Sequence, residues 1–310
     1  MIGFKAKELA ILFIIILFSS CHNKELCPEC DKETGVEVKF DWSDVSEIPD
    51  GMTVLFYNMQ NELVYTFNNI SSQGETVRID EGSYHVACYN NDTEYVEWSN
   101  ESDLDSLQVY TRKPVSPKSA LNRTLDIPDE EVVEYPDFLC GTISGEEKIL
   151  AYVNYEQVIL LKPEPLLDSY TYSVNNIQNG QYISKTAATL TGLSKRLYLE
   201  NQTHQNGVVS MTFSDNKLTG DCSSAIGNMY NLGYYHNKGN HNYLILYIWS
   251  PGGNLRAIFD VTDQVRKAPD PRNVHIVIDQ KIVVPTPIDG DEGIDPTVDE
   301  WKDLTYDVIL

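Results

Sequence analysis

"TVRIDEGSYHVACYN", residues 76–90, reads as two strands separated by a turn at Glu81-Gly82. Val77 and Ile79 alternate with polar neighbours before the turn, and Tyr84, Val86 and Cys88 share one face after it. A period of two marks strands with one face in a core. The same period governs the flanks. In "VEVKFDW" (36–42), Val36, Val38, Phe40 and Trp42 share a face, while Glu37, Lys39 and Asp41 take the other. "MTVLFYN" (52–58) and "LVYTFN" (63–68) flank the polar turn at Met59-Gln60-Asn61, which predicts a hairpin.

Further strands are expected at "EQVILLKP" (156–163), "SYTYSV" (169–174), "GVVSMTFS" (207–214), "YLILYIW" (243–249), "LRAIFDV" (255–261) and "NVHIVID" (273–279). Clusters of Asn, Gly, Pro and Asp punctuate them. Residues 116–125 and 184–196 are expected to supply only short helical turns. Many short strands with polar turns define an all-β chain of sandwiches or barrels. We read two tandem β-sandwiches that meet near Gly145 to Tyr155. The 19 tyrosines against 9 phenylalanines suit sheets with one wet face.

The N-terminus carries a different signal. Lys5 and Lys7 precede ten apolar residues, Leu9 to Phe18, followed by Ser19-Ser20. That is the layout of a secretory signal. At ~1.5 Å per residue, ten residues cross only about half of a ~30 Å hydrocarbon core, so a membrane-spanning helix is a poor reading. A small residue directly before Cys21 resembles the bacterial lipobox, with Leu17 four residues ahead and Phe18 where leucine is commonest. The resemblance implies that Cys21 is acylated and becomes the mature N-terminus. The alternative is an ordinary cleaved signal with Cys21 in a disulfide. Cys27 and Cys30 lack the second Cys/His pair of a zinc site and the following helix of a redox motif. They read as a local disulfide or two idle thiols in a tether. Cys88, Cys140 and Cys222 read as small core hydrophobes.

The whole chain has a formal net charge of −23; residues 1–20 carry Lys5, Lys7 and Glu8, and their removal leaves −24. Such acidity argues against nucleic acid, which needs Lys and Arg to neutralise phosphate. It also argues against adsorption to anionic lipid. About two domains fit the 290 residues that remain. No P-loop or G-x-S-x-G elbow is present, and the carboxylates are too numerous to nominate a catalytic pair. His236 and His241 in "YYHNKGNH" lack a third ligand, and "DGDEGID" (289–295) fails the EF-hand order. No metal, cofactor or enzyme activity is therefore assigned.

The strand, hairpin and "IDEGSYHVACYN" succession resembles the repeated G-x-Y-x-V pattern of transthyretin-like Greek-key sandwiches. In order along the chain come the lipobox, "VEVKFDW", "GSYHVACYNNDTEYVEW", "YPDFLCG", "VILLKPEP", "YTYSV", "LTGL", "LTGDC", "FDVTDQV", "NVHIVID" and "VDEWKDLTYDVIL". That order is similar to the fimbrial anchor and minor-subunit lipoproteins of Bacteroides and relatives, the FimB/Mfa-type family. The resemblance implies two transthyretin-like domains, an outer-membrane lipoprotein and a role in type V pili and cell adhesion. The expected plan is a signal peptide (1–20), a lipidated tether (21–35), sandwiches at 36–147 and 148–288, and an acidic linker with a C-terminal strand (289–310). Cell-surface display is expected, although "HNKEL" (22–26) lacks an acidic export run and a periplasm-facing position stays open.

In that family, shaft subunits lose their first strand to an arginine-specific protease. Here no arginine precedes Arg78, so the first strand is expected to be retained. Partners are then the membrane, through the lipid, and pilin subunits by β-strand addition. In the tail, Leu304, Tyr306, Val308 and Leu310 line one apolar face, with Trp301 anchoring its entry. This tail either folds back on its own domain or completes a partner's groove. An alternative is a surface glycan-binding lipoprotein, with Tyr84, Tyr89, Tyr95, Trp98, Tyr234 and Tyr235 as a stacking platform.

Overall fold

The computed structural model describes residues 33–112, 130–151, 156–202, 207–236, 239–287 and 301–306, and the chain is all-β. Strand Glu33–Phe40 is the middle of a three-stranded sheet. Glu75–Asp80 pairs antiparallel to one side and Gln157–Leu161 parallel to the other. The opposing sheet has five strands, in the order Glu164–Pro165, Cys140–Ile149, Gly82–Asn90, Gly51–Tyr57, Leu63–Ser71. Val36, Val38, Val77, Ile79 and Ile159 from the first sheet pack with Val54, Phe56, Tyr84 and Val86 from the second. The apolar side of "VEVKFDW" is thus a core face: Val36 and Val38 are buried, and Phe40 and Trp42 pack at its border.

The two strands of the opening stretch form, and they lie in different sheets. The chain crosses between layers at Glu81, where the hydroxyl of Tyr84 donates to the Asp80 carbonyl at 3.2 Å. The expected hairpin forms as Gly51–Tyr57 against Leu63–Ser71. A tight turn then carries the chain into the other sheet. Its Gly74 has φ +95°, and a Cβ there would lie 2.5 Å from the Val38 carbonyl oxygen. Only glycine fits such a position without distortion.

Strand pairing does not follow a boundary at 147/148. Gln157–Leu161 lies in register beside the first strand, with Val38 opposite Ile159. Glu131–Val133, earlier in the chain, pairs with Val208–Thr212 in a sheet of the second half. That second half has a four-stranded sheet, in the order Ser214–Leu218, Ala225–Asn231, Asp168–Val174, Asn273–Ile278. It faces a six-stranded sheet ordered Trp301–Tyr306, Asn254–Asp260, Tyr243–Trp249, Lys185–Ser194, Val208–Thr212, Glu131–Val133. Tyr170, Tyr172, Leu190, Met211, Leu246, Phe259 and Ile276 are central to its core.

The expected helical turn at 184–196 is a strand, Lys185–Ser194. Thr186 to Ser194 are all buried, because this strand runs through the middle of the six-stranded sheet with both faces covered. A strand buried on both sides loses its period of two, and "TAATL" then reads as helix-compatible. The region 116–125 lies outside the described residues.

A third layer joins the halves. Val96–Ser99, Gln108–Thr111 and Arg196–Tyr198 form a small sheet. Its Val96, Val109 and Leu197 close over Leu55, Tyr57, Ala87 and Tyr89 on the outer side of the five-stranded sheet. Arg196–Tyr198 follows directly on a strand of the second sandwich, so this apolar cluster is shared by both halves. Among the described residues, no helix is long and apolar enough to cross a membrane.

Candidate functional site

Two places concentrate chemistry: the edge where the C-terminal strand lies, and a cleft at the junction of the halves. At the edge, Trp301–Tyr306 runs parallel to Asn254–Asp260, with Asn254 opposite Trp301 and Phe259 opposite Tyr306. Alternation sends Leu304 toward the large core. Trp301 and Asp303 take the opposite face. The Trp301 ring meets Tyr247 edge-on at 5.5 Å and Trp249 at 5.1 Å, with interplanar angles of 80° and 79°. Asp303 accepts from Nε of Arg256 at 2.7 Å and also contacts its Nη2. The Arg256 side chain is 5% exposed, so this two-point pair shields a buried guanidinium. Val308 and Leu310 lie outside the described residues, as do Cys21, Cys27, Cys30 and the acidic stretch 289–295.

The cleft gathers side chains that are far apart in sequence. Asp168 and Arg272 stand on neighbouring strand starts of the four-stranded sheet, where Ser169 N donates to the Arg272 carbonyl at 2.7 Å. Arg272 Nε lies 3.4 Å from Asp168 Oδ1, and its Nη2 donates to the Pro165 carbonyl at 2.5 Å. Arg272 therefore ties the short strand Glu164–Pro165 of the five-stranded sheet to the start of Asp168–Val174 in the four-stranded one. Gln202, Tyr234 and His236 complete the polar lining of a cavity of about 220 Å³, whose apolar part includes Leu166 and Leu197.

Burial pushes the Asp168 carboxyl up to about 6, against the opposing pull of Arg272. The two observations differ in sign, and burial prevails: the pair is long at 3.4 Å, Asp168 is 13% exposed and Arg272 is 42% exposed. A carboxyl raised in the folded state favours the protonated form there. Stability from this group is fully present below the unfolded value near 4 and is lost as pH rises through about 6. We expect wild type to gain up to about 3 kcal/mol relative to Asp168→Asn between about pH 7 and about pH 4. Urea midpoints of both proteins across that interval read it out. A pH-independent difference would show that Asp168 titrates normally.

Other expected groupings resolve as follows. His241 Nδ1 lies 3.0 Å from Asp260 Oδ2 and its ring stacks on Tyr243, while His236 packs beside Tyr234 at 4.2 Å. Among the described residues, no group of three or more His, Cys, Asp or Glu is placed to hold a metal. Cys88 and Cys140 are buried in the first core, and burial pushes both thiols up, Cys140 to about 12. Cys222 differs: it is half-buried in a turn at φ +55°. The six aromatics of the stacking platform are not assembled. Tyr84 lies in the first core, Tyr89 stacks on Trp98 at 3.9 Å beneath the third layer, and Tyr234 is across the joint. Neither Asp168–Arg272 nor Arg256–Asp303 was foreseen, since separations of 104 and 47 residues leave no local pattern.

The same fold of layered open sheets is found in solved structures from Bacteroides. A crystal structure described as a "putative adhesin" from Bacteroides ovatus ATCC 8483 superposes with a TM-score of 0.59. It is 19% identical, and the match covers 83% of this chain and 94% of that one. Another, described as "putative polysaccharide binding proteins" from Bacteroides thetaiotaomicron VPI-5482, has a TM-score of 0.51 at 11% identity, covering 80% and 92%. The chain belongs to the family described as Domain of unknown function (DUF5119), whose profile matches residues 20–214. It is also similar to the "Putative fimbrium anchoring subunit Fim4B" of Bacteroides ovatus, 24% identical over 189 residues, or 60% of this chain. The match spans about half, 53%, of that relative's length.

Proposed function

We propose that this protein is a non-enzymatic cell-envelope lipoprotein that serves as an anchor or accessory subunit of a type V pilus and contributes to cell adhesion. The observation that carries the reading is the 189-residue similarity to a fimbrium anchoring subunit. The adhesin-like fold over most of the chain supports it. On this reading residues 1–20 are a signal peptide, Cys21 carries the lipid at the outer membrane, and two transthyretin-like Greek-key sandwiches follow. The pairing of Gln157–Leu161 with the first strand extends the first sandwich beyond residue 147. The lipid-bearing tether faces the cell surface in this scheme.

The first strand stays in the mature protein. It is the central strand of its sheet, and its Val36 and Val38 are fully buried, so its removal would open the first core. The tail is self-paired in the isolated subunit, supported by its seat beside Asn254–Asp260. Donation to a pilin groove by β-strand addition is the competing use.

Metabolic labelling with a fatty-acid analogue, followed by purification of pili from the same cells, tests the assignment. Wild type is expected to be labelled and to copurify with pili from an intact N-terminal strand, whereas Cys21→Ser is unlabelled and released from the membrane. Equal label in both forms removes the lipoprotein assignment. Pili that assemble and stay attached normally in a strain lacking the protein would remove the fimbrial one. Protease shaving of intact cells separates surface from periplasmic exposure.

A further inference from the structure

We propose that the cleft between the two halves binds one neutral sugar ring, the terminal residue of a glycan, held by Asp168, Arg272, Gln202 and Tyr234. Ligand sites favour junctions between packed units, where walls come from separate elements. Here one wall belongs to the shared apolar cluster through Leu166 and Leu197, and the other to the edge of the second sandwich through Asp168 and Arg272.

Size narrows the ligand. A volume of 220 Å³ lies below the ~300–1,000 Å³ of drug-sized pockets. One pyranose ring fits such a space. The lining fits the same chemistry. The carboxylate of Asp168 accepts two hydroxyl hydrogens, the Arg272 guanidinium donates to hydroxyl or ring oxygens, and the Gln202 amide does both. The Tyr234 ring is half-buried, with His236 beside it at 4.2 Å and the Arg266 guanidinium 5.9 Å over it, so its exposed edge is what the C–H side of a sugar would meet. Asp168 and Arg272 offset each other, so this pair by itself selects no ion. A strongly anionic sugar would meet Asp168 and the nearby Asp270.

Saturation-transfer NMR on the full-length protein in detergent micelles provides the test, with methyl glycosides of glucose, galactose, mannose, fucose and N-acetylglucosamine as probes. At least one is expected to receive saturation and bind with a millimolar Kd. Affinity should fall about tenfold in Gln202→Gly and in Tyr234→Ala, the loss expected for a hydrogen bond to a polar ligand or a stacking face. Gln202→Gly is compatible with the left-handed backbone there, φ +47°, and carries the test if Tyr234→Ala fails to fold. No saturation of any glycoside, or an unchanged Kd in Gln202→Gly, overturns the proposal. Pilus association of the same variants is scored separately, so loss of the sugar leaves the fimbrial reading standing or falling on its own result.

Discussion

Phe56→Ala is expected to destabilise the protein by about 3–5 kcal/mol, the range for truncating a fully buried phenylalanine. Phe56 has no solvent exposure and sits on the central face of the five-stranded sheet. Three aromatic rings meet it edge to face: Tyr65 at 6.5 Å, Phe67 at 5.8 Å and Tyr84 at 5.9 Å. Such pairs contribute about 0.5–1.5 kcal/mol each beyond area burial, and all three are lost at once. The cavity lies between sheets and cannot collapse without moving a strand. At about 2–4 °C per kcal/mol for a domain of this size, the melting transition should fall by roughly 6–20 °C. Scanning calorimetry reads it directly, with Val64→Ala, at a position 44% exposed on the neighbouring strand, as the mild control. A shift as small as that control would mean the ring is not packed as described.

Deleting residues 299–310 is expected to cost the isolated monomer about 2–3 kcal/mol. The deletion takes the Trp301 ring from Tyr247 and Trp249 and removes Leu304 from the edge of the large core. It also takes the Asp303 carboxylate from Arg256, whose side chain is 5% exposed. Breaking a buried ion pair by removing one partner costs about 3–5 kcal/mol. Asp303 is 46% exposed, which weakens the pair, and release of the ordered tail offsets part of the loss. The melting temperature should fall by roughly 4–12 °C. That result, with pilus association retained, marks a self-pairing strand. Unchanged monomer stability with lost pilus association marks a donated one, and no effect on either rejects both uses.

What could be read from residues alone was each strand with one wet face. "VEVKFDW" and "TVRIDEGSYHVACYN" alternate because water on one side and a core on the other impose a period of two. The Met59-Gln60-Asn61 turn is equally local, since a hairpin partner lies only a few residues away. The order of these segments also carried the resemblance to fimbrial anchor and minor-subunit proteins. Partner choice was not legible. "QVILL" is apolar or neutral throughout, so its composition hides that Ile159 and Leu161 face the core while Val158 and Leu160 are exposed, and nothing in it names the first strand as its neighbour. Lys185–Ser194 was misread because two covered faces erase alternation. The third layer, the Asp168–Arg272 cleft and the Arg256 seat for Asp303 arise from chain segments brought together over long separations. Local alternation is set by solvent on each residue's own face, so sequence determined it. Sheet order and the joint depend on which distant edges find each other, so only the tertiary structure decided them.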